Sequence, residues 1–352
     1  MSLDFFLHYG GRRLRQYAEQ PSLESRADLA GGEDEKPSVS LDFELPPEDW
    51  RPRSVVSETV DPSALPQRFI DGCHSGETVT WVQDEADHPI PVRLAQIGGV
   101  CMRIEGRVLR REFARLERIV SLIVDPFPLH EVESLAAALR ANDFRLLPAN
   151  QPIVAEGQRG LVYDYERMRH QTHARSQYEM EILEELALYQ NLEMMTLIDG
   201  PLRAKHHRMN LSAYDLVGVI KQHNENHLHD HRQCWRVYYQ LEPGQRTPAF
   251  QLRSKDLPVV SWYLKLDGAH GAMPNWGIAR VEISCAHFER QRCSFGYLDR
   301  LSNALLHLRC RQASYARAPV SMEPIVRAEE SLKSLLTPPA TLAQRFYHLT
   351  GL

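Results

Sequence analysis

The chain has 352 residues, 43% of them hydrophobic, which is enough for a sizeable core in one elaborated domain or two. Its six cysteines are scattered without a C-x-x-C pair, which argues against a zinc ribbon, and its net charge of −5 argues against a protein that simply coats nucleic acid. No apolar run is long enough to span a bilayer, and the first residues lack the basic and apolar regions of a secretory signal, so we expect a cytoplasmic protein with no membrane partner.

The N-terminal part of the chain, residues 1–66, is predicted to be a short helix followed by an extended arm. From residue 21 to residue 66 it is polar and is interrupted by Pro, Gly and acidic residues, a composition typical of irregular structure. Strand-forming segments then follow closely on one another and predict an antiparallel meander. These segments begin at Arg68, Thr78, Val92 and Val100.

Helical spacing of apolar side chains appears next, at residues 110–122 and 130–141, and we predict a helical insertion covering about 111–165. The first of these helices overlaps the stretch 103–118, whose six arginines are suited either to phosphates or to a solvated helix face. A long helix is predicted from about Tyr165 to Asn191. Its expected apolar stripe consists of Tyr178, Ile182, Leu186 and Tyr189.

The second half of the chain combines short apolar strands with helices. Buried strands are predicted within 194–202 and 216–221, and a helix near Tyr297–Arg309. Four further strands are predicted at Trp235–Tyr239, Ala249–Leu252, Val259–Leu266 and Ile278–Ile283. The whole pattern predicts an α/β fold, a mixed β-sheet flanked by helices, over residues 67–310, followed by a helical tail at 311–352.

Two apolar segments share one design: each ends in Ile-Asp-Gly, with the aspartates at Asp71 and Asp199. If two buried strands end side by side, their terminal carboxylates meet at one edge of the sheet, where repulsion raises the pKa of one of them. Mg²⁺ or Mn²⁺, which prefer hard oxygen ligands, would remove that repulsion. Asp-Gly is also the commonest turn dipeptide. Each segment alone is therefore better explained as a turn, whereas the pair leaves a turn and a metal site equally open.

The two Ile-Asp-Gly segments belong to a longer series of motifs with a defined order. The series consists of Ile70-Asp-Gly-Cys73, an acidic helix with Glu179, Glu181, Glu184 and Glu185, Leu197-Ile-Asp-Gly-Pro-Leu202, Val217–Lys221, Trp262–Leu266, Arg280–Ile283 and Gly296–Asp299. In this order it resembles the NurA family of nucleases. The resemblance covers about residues 67–310 and implies an RNase H-like fold.

The resemblance implies a metal-dependent nuclease that hydrolyses phosphodiester bonds of DNA with two bound Mn²⁺ or Mg²⁺ ions. Asp71 and Asp199 would hold the metals. Glu181 from the acidic helix and Glu282 would be further ligands, and Lys221 would lie beside the scissile phosphate. The residues expected to contact DNA are Arg203, Lys205, His206, His207 and Tyr297.

The family resemblance also implies partners. A NurA-type nuclease is expected to form a homodimer and to work with a HerA-type hexameric ATPase that feeds DNA to it, in DNA-end processing for repair or in defence against foreign DNA. The chain contains no G-x-x-x-x-G-K-[ST] motif, so any such motor must be another chain.

The chain departs from the family pattern in ways that keep two alternatives open. Cys73 and Pro201 stand where the family has Ser after Asp-Gly, and the last family motif, Tyr-Pro followed by Ala-His, is incomplete at Tyr297 and Ala304. One alternative is therefore a catalytically weak or inactive scaffold subunit of a DNA motor complex. The other is a zinc-dependent hydrolase, because a His-rich run supplies the commonest transition-metal ligand, although its spacing is one residue short of H-x-H-x-D-H. Its candidate ligands are His227, His229 and His231.

Overall fold

The computed structural model describes residues 3–14, 38–149, 165–202, 211–221, 227–228, 231–253, 257–268, 273–311 and 320–352. The strands in this part of the chain are β1 Ser38–Ser40, β2 Arg53–Ser54, β3 Arg68–Gln83, β4 Pro89–Glu105, β5 Val108–Ile123, β6 Arg145–Ala149, β7 Thr196–Asp199, β8 Leu216–Ile220, β9 Gln245–Arg246, β10 Phe250–Arg253, β11 Val259–Lys265 and β12 Ile278–Ser284. The helices are α1 Phe5–His8, α2 Leu129–Arg140, α3 Tyr165–Tyr189, α4 Arg232–Tyr239, α5 Cys285–Arg290, α6 Phe295–Leu308, α7 Glu323–Lys333 and α8 Pro339–Thr350.

The strands form one mixed sheet in the order β1-β10-β11-β12-β8-β7-β3-β4-β5-β6, with β9 attached to β11 and β2 to β9. The pairs β3–β7, β7–β8 and β5–β6 are parallel, and the other pairs are antiparallel. Helices lie on both faces, which confirms the predicted mixed sheet flanked by helices. The short strand β7 lies near the middle of this order, between β3 and β8.

Each face of the sheet has its own core, because successive side chains of a strand point to opposite faces. Phe69, Leu197 and Val217 pack with side chains of α6 and α7, and we call this side the α7 face. Ile70 and Leu216 pack with side chains of α3 and α4 on the other side, which we call the α3 face. The residue number within a strand therefore decides which helices a side chain meets.

The predicted antiparallel meander is confirmed, with longer strands than the sequence indicates. β3, β4 and β5 have 16, 17 and 16 residues and pair along almost their whole length. The helix predicted over 110–122 is wrong, because this segment belongs to β5. Its Leu, Arg and Glu residues favour a helix in isolation, but pairing with β4 and burial of residues 119–123 outweigh that preference.

The predicted helical insertion at 111–165 is consequently only partly helical. Between β5 and α3 the described residues form one helix, α2, and one strand, β6, which pairs in parallel with β5. Residues 150–164 lie outside the described part of the chain.

Helix α3 forms where the sequence predicts it, but with a different buried side. Tyr178 and Tyr189 of the predicted stripe are exposed, at 39% and 40%. The buried positions include Leu183 and Ala187, which are one turn apart and belong to the cores beneath the helix. The small side chain of Ala187 lets α3 lie close to the sheet.

The strand predicted at Trp235–Tyr239 is wrong, because these residues form helix α4. Aromatic and β-branched residues favour strands, which explains the error. The buried residues Cys234, Val237 and Tyr238, however, are spaced as i, i+3 and i+4, which is the spacing of a helix with one buried side.

The described parts of the predicted arm (1–66) and tail (311–352) are packed into the same fold. β1 pairs with β10, and Glu44 accepts hydrogen bonds from both terminal nitrogens of the fully buried Arg246. Leu332 of α7 and Phe346 of α8 contribute to the cores of the sheet. None of the helices in the described ranges is long and apolar enough to cross a membrane.

Candidate active site

Asp71 and Asp199 lie on neighbouring parallel strands. β3 and β7 are in register through Ile70 and Ile198, so the next residue of each strand is an aspartate. Neighbouring strands are about 4.8 Å apart, and side chains at matching positions point to the same face. The structure thus brings both carboxylates together on the α7 face, two residues after Phe69 and Leu197.

The two aspartates occupy different places in their strands. Asp199 is the last residue of β7, whereas Asp71 lies near the start of β3, which continues to Gln83 alongside β4. The prediction that each aspartate ends a strand is therefore wrong for Asp71. Because β7 stops where β3 continues, the carboxylates lie at a step in the sheet, where β3 loses its pairing on one side.

The environment of Asp71 disfavours its negative charge. The residue is 8% exposed. Burial, followed by the carboxylate of Asp199, raises the pKa of Asp71 from the ordinary 3.8 to about 7. Glu329 adds to this rise, whereas the Lys221 ammonium and the Gly72 N–H oppose it. A carboxylate with this pKa carries a full negative charge at neutral pH only if a further cation stabilises it.

Lys221 stabilises the second carboxylate directly. It follows the last residue of β8, and its Nζ donates to Oδ2 of Asp199 at 2.7 Å. Val219 is the register partner of Asp199, so Lys221, two residues further on, points to the same face. Within the described part of the chain, no cationic side chain donates a comparable hydrogen bond to Asp71. Asp199 is therefore the neutralised member of the pair.

Glu184 of α3 reaches the backbone beside Asp71 from the opposite face. A Cβ atom placed on Gly72 would lie 2.4 Å from Glu184 Oε1, which is closer than real atoms approach. Gly72 is thus needed for the approach of a helix carboxylate. Among the glutamates of α3, Glu184 is the one that contacts this glycine.

Glu181, the helix glutamate expected from the family resemblance, is placed elsewhere. Leu183 faces the sheet, since its carbonyl oxygen would lie 2.7 Å from a Cβ atom on Gly99 of β4. Two residues correspond to about 200° around a helix axis, so Glu181 points away from the sheet. The structure does not bring its side chain to the two aspartates.

Glu282 lies on the α3 face and holds the loop after β7. Its register partner is Gly218, the residue before Val219, so it faces away from Asp199. Its Oε1 accepts a hydrogen bond from the backbone N–H of Leu202, and its Oε2 lies 3.1 Å from Nη1 of Arg280. The structure therefore gives Glu282 a role in positioning the loop, on the side of the sheet away from the carboxylates.

Glu329 of α7 is a carboxylate of this site that is not among the predicted ligands. It raises the pKa of Asp71 and accepts a hydrogen bond from Lys333 at 2.6 Å. No motif in the sequence singles it out, because it lies in α7, within the tail predicted for residues 311–352.

Most of the residues expected to contact DNA lie outside the described part of the chain. These are Arg203, Lys205, His206 and His207. Tyr297 is 1% exposed, and its hydroxyl is hydrogen-bonded to Nε2 of His287 at 2.9 Å. It belongs to the core beneath α6, and the structure does not present it to a ligand.

The histidine run offers no assembled metal site in the part of the chain that is described. His227 lies against the ring of Phe250, with 6.1 Å between ring centroids, and His231 precedes α4. His229 lies outside the described residues. Across the described residues of the whole chain, no group of three or more His, Cys, Asp or Glu side chains is arranged to hold a metal ion.

A distant similarity to a solved structure bears on the fold. No protein-family model matches the chain, and no curated protein matches it. Among solved structures, the chain is similar to the NurA nuclease from Sulfolobus solfataricus, with 12% sequence identity, a TM-score of 0.43, and coverage of 80% of this chain and 81% of that chain. So distant a similarity assigns neither a substrate nor site residues, but it names the family whose motifs the sequence resembles.

Proposed function

We propose that the protein is a divalent-cation-dependent nuclease that hydrolyses phosphodiester bonds of DNA, with Asp71 and Asp199 as the cation-binding carboxylates. The observation that supports this most directly is the carboxylate pair itself, of which Asp71 is buried. Two aspartates on adjacent parallel strands share one face, and the pKa of Asp71 is raised to about 7. A site of this kind gains stability when a cation joins it.

The donor atoms suit Mg²⁺ or Mn²⁺, because both ions prefer carboxylate oxygens. Asp71 and Asp199 would supply the first ligands. Glu329 approaches from α7 on the same face, and Glu184 approaches over Gly72 from α3. A two-metal arrangement would need ligands beyond the two aspartates, and we favour Glu329, which shares their face, over Glu181, Glu282 and Glu184.

The reaction needs a bound cation to polarise the phosphate and to lower the pKa of the attacking water. The chain's own residues would orient the substrate. Lys221 holds Asp199 in place through its 2.7 Å hydrogen bond and brings a positive charge to the edge where a phosphate would arrive.

We extend the proposal to the assembly. The resemblance to NurA supports a homodimer working with a HerA-type hexameric ATPase, in DNA repair or in defence against foreign DNA. Co-purification of the chain with a HerA-type protein encoded beside it would test the partner. Light scattering of the isolated chain would test the dimer.

The nuclease proposal is tested with linear and circular DNA in the presence of Mg²⁺ or Mn²⁺ and with a chelator. We expect cleavage that needs the cation and is lost in Asp71→Asn and Asp199→Asn. Asp143→Asn is the matched control, because Asp143 lies in the turn between α2 and β6 and adopts a positive φ that Asn tolerates. Cleavage that survives in both site variants would overturn the assignment.

The same assay separates the two alternatives. A scaffold subunit would give no cleavage with any cation while the chain still binds a motor protein. A zinc hydrolase would lose activity in His227→Ala and keep it in Asp71→Asn.

A further inference from the structure

The outer end of the β4–β5 hairpin, residues 103–118, carries an excess of positive charge, and we call it the arginine hairpin. It contains six arginines and three glutamates in a chain whose net charge is −5. The structure makes it the turn between two long strands, instead of the helix face that the sequence suggests. Its arginines are Arg103, Arg107, Arg110, Arg111, Arg115 and Arg118.

Two of the three glutamates are neutralised by residues outside the hairpin. Glu112 lies 2.6 Å from Nε of the buried Arg68, and Glu117 lies 2.8 Å from Nη2 of Arg145. Each of these glutamates also pairs with one arginine of the hairpin, Glu112 with Arg103 at 3.8 Å and Glu117 with Arg115 at 2.8 Å. Because Arg68 and Arg145 share the two carboxylates, the hairpin keeps a positive excess.

Arg107 and Arg111 supply the uncompensated charge. Both are exposed, and neither forms an ion pair with any residue in the described ranges. The exposed Arg110, by contrast, lies 3.3 Å from Glu105. The exposed large apolar side chain here is Val108, at 53%, so the tip lacks the apolar centre of a stable protein interface.

Arg111 points to the same face as the aspartates. Met102 lies opposite Phe69 in β3 and opposite Arg111 in β5, so the three residues share the α7 face. Arg111 lies two strands away from Asp71 and two residues earlier along the strand direction of β3. These two offsets place the Cα atoms of Arg111 and Asp71 about 12 Å apart. This equals roughly three to four nucleotide steps of 3.4 Å along a strand. Ala114, two strands from Asp71 in the same register, is exposed, whereas Val100 between them is fully buried, so the exposed part of this face begins at β5.

We infer that the arginine hairpin binds the phosphate backbone of DNA at the exposed β5 side of the α7 face, a few nucleotides from Asp71 and Asp199. The inference rests on the proposed nuclease function for the identity of the polyanion. Arginine side chains without apolar neighbours contribute charge without base selectivity, so the binding is expected to be independent of sequence.

The test measures DNA binding separately from cleavage. Fluorescence anisotropy of a labelled DNA duplex is recorded with the full chain in chelator, over a series of salt concentrations. For the double variant Arg107→Gln/Arg111→Gln we expect weaker DNA binding. The slope of the logarithm of the binding constant against the logarithm of the salt concentration should be smaller in magnitude by about 2, one unit for each arginine removed from a phosphate. Arg107→Lys/Arg111→Lys should keep most of the slope. Arg140→Gln, an exposed arginine at the end of α2, is the matched control and should bind like the parent.

The outcomes distinguish the two proposals. Arginine-dependent binding without any cation-dependent cleavage would overturn the nuclease function and leave the hairpin as a DNA-binding arm. Cleavage by the parent, combined with an unchanged affinity and salt slope in the Gln variant, would overturn the hairpin inference alone. A change of oligomeric state in the Gln variant with unchanged DNA binding would also overturn it, since the hairpin would then serve self-association.

Discussion

Asp71→Asn should stabilise the cation-free protein, and the gain should depend on pH. In the folded parent the carboxyl of Asp71 has a pKa of about 7, against 3.8 in the unfolded chain. The folded state therefore binds this proton more tightly, and the parent loses stability as the pH rises from about 4 through 7. At 1.36 kcal/mol per pKa unit, the loss is about 4 kcal/mol at pH 8 and about 1.6 kcal/mol at pH 5.

Asparagine has nearly the same shape as aspartate but does not titrate, so the variant is free of this loss. The variant should melt above the parent at pH 8, and the difference should shrink at pH 5. For a chain of this length, about 2.1 cal/mol/K of unfolding entropy per residue converts 4 kcal/mol into a shift of about 5 °C.

The assay is thermal unfolding followed by circular dichroism at pH 5, 6, 7 and 8 with a chelator, repeated with Mg²⁺ or Mn²⁺. The cation should raise the melting temperature of the parent at pH 8, because it stabilises the ionised pair, and should have little effect on Asp71→Asn. Asp143→Asn should follow the parent at every pH, because Asp143 lies far along the chain in an exposed turn.

Two results would refute the reasoning. A variant that is less stable than the parent at all pH values would mean that the Asp71 carboxylate is stabilised in the fold. A constant difference between pH 5 and pH 8 would mean that Asp71 titrates normally, so that the two aspartates do not form a strained pair.

Three further predictions concern the surroundings of the pair. Gly72→Ala should destabilise the protein by no more than about 1 kcal/mol, because the added methyl displaces only the far end of the flexible Glu184 side chain. Gly296→Ala in α6, where a methyl would make only ordinary contacts, is the matched control and should melt like the parent. Lys221→Met removes a charge that lowers the pKa of Asp71, so the acidic limb of the pH–rate profile should move to higher pH, and an unchanged limb would contradict the geometry. Glu282→Ala should lower the melting temperature, because it leaves the buried Arg280 without its partner. Isothermal titration should show an unchanged number of bound cations, because the Glu282 side chain faces away from the two aspartates.

The central part of the fold follows from local sequence patterns. Short apolar runs bounded by glycine place β7 and β8, and the parallel pairing with β3 brings Asp71 beside Asp199. The apolar character of these runs is sufficient because both faces of the sheet are buried there. The apolar runs and their Asp-Gly ends could therefore be predicted from the sequence, whereas the parallel pairing of β3 with β7 and the continuation of β3 beyond Asp71 could not.

The outer parts of the fold depend on tertiary contacts that local patterns do not contain. The arginine hairpin has the composition of a helix and becomes a strand because β4 pairs with it over its length. Trp235–Tyr239 has the composition of a strand and becomes α4 because its buried residues are one helical turn apart. In both segments the partner element decides the outcome.

The glutamates around the two aspartates were the hardest to assign, because a glutamate can join the cation site only if its side chain lies on the same face of the sheet. Glu282 is one register position out of phase with Asp199, and Glu181 is half a turn from the sheet-facing side of α3. Glu329 comes from a helix beyond the segment that resembles the family. Without the strand register and the orientation of each helix, four or more glutamates are equally good candidates for cation ligands.

The two Asp-Gly dipeptides are identical in sequence, but their glycines are needed for different physical reasons. Gly200 has a φ of 127°, a conformation that favours glycine, and it turns the chain away after β7. Gly72 lies within a continuous strand, so a turn cannot explain it, and its missing side chain leaves room for Glu184. The turn explanation thus accounts for one dipeptide only. Gly72 is explained by packing, because its missing side chain lets the Glu184 carboxylate of α3 approach the backbone of β3 on the face opposite the two aspartates.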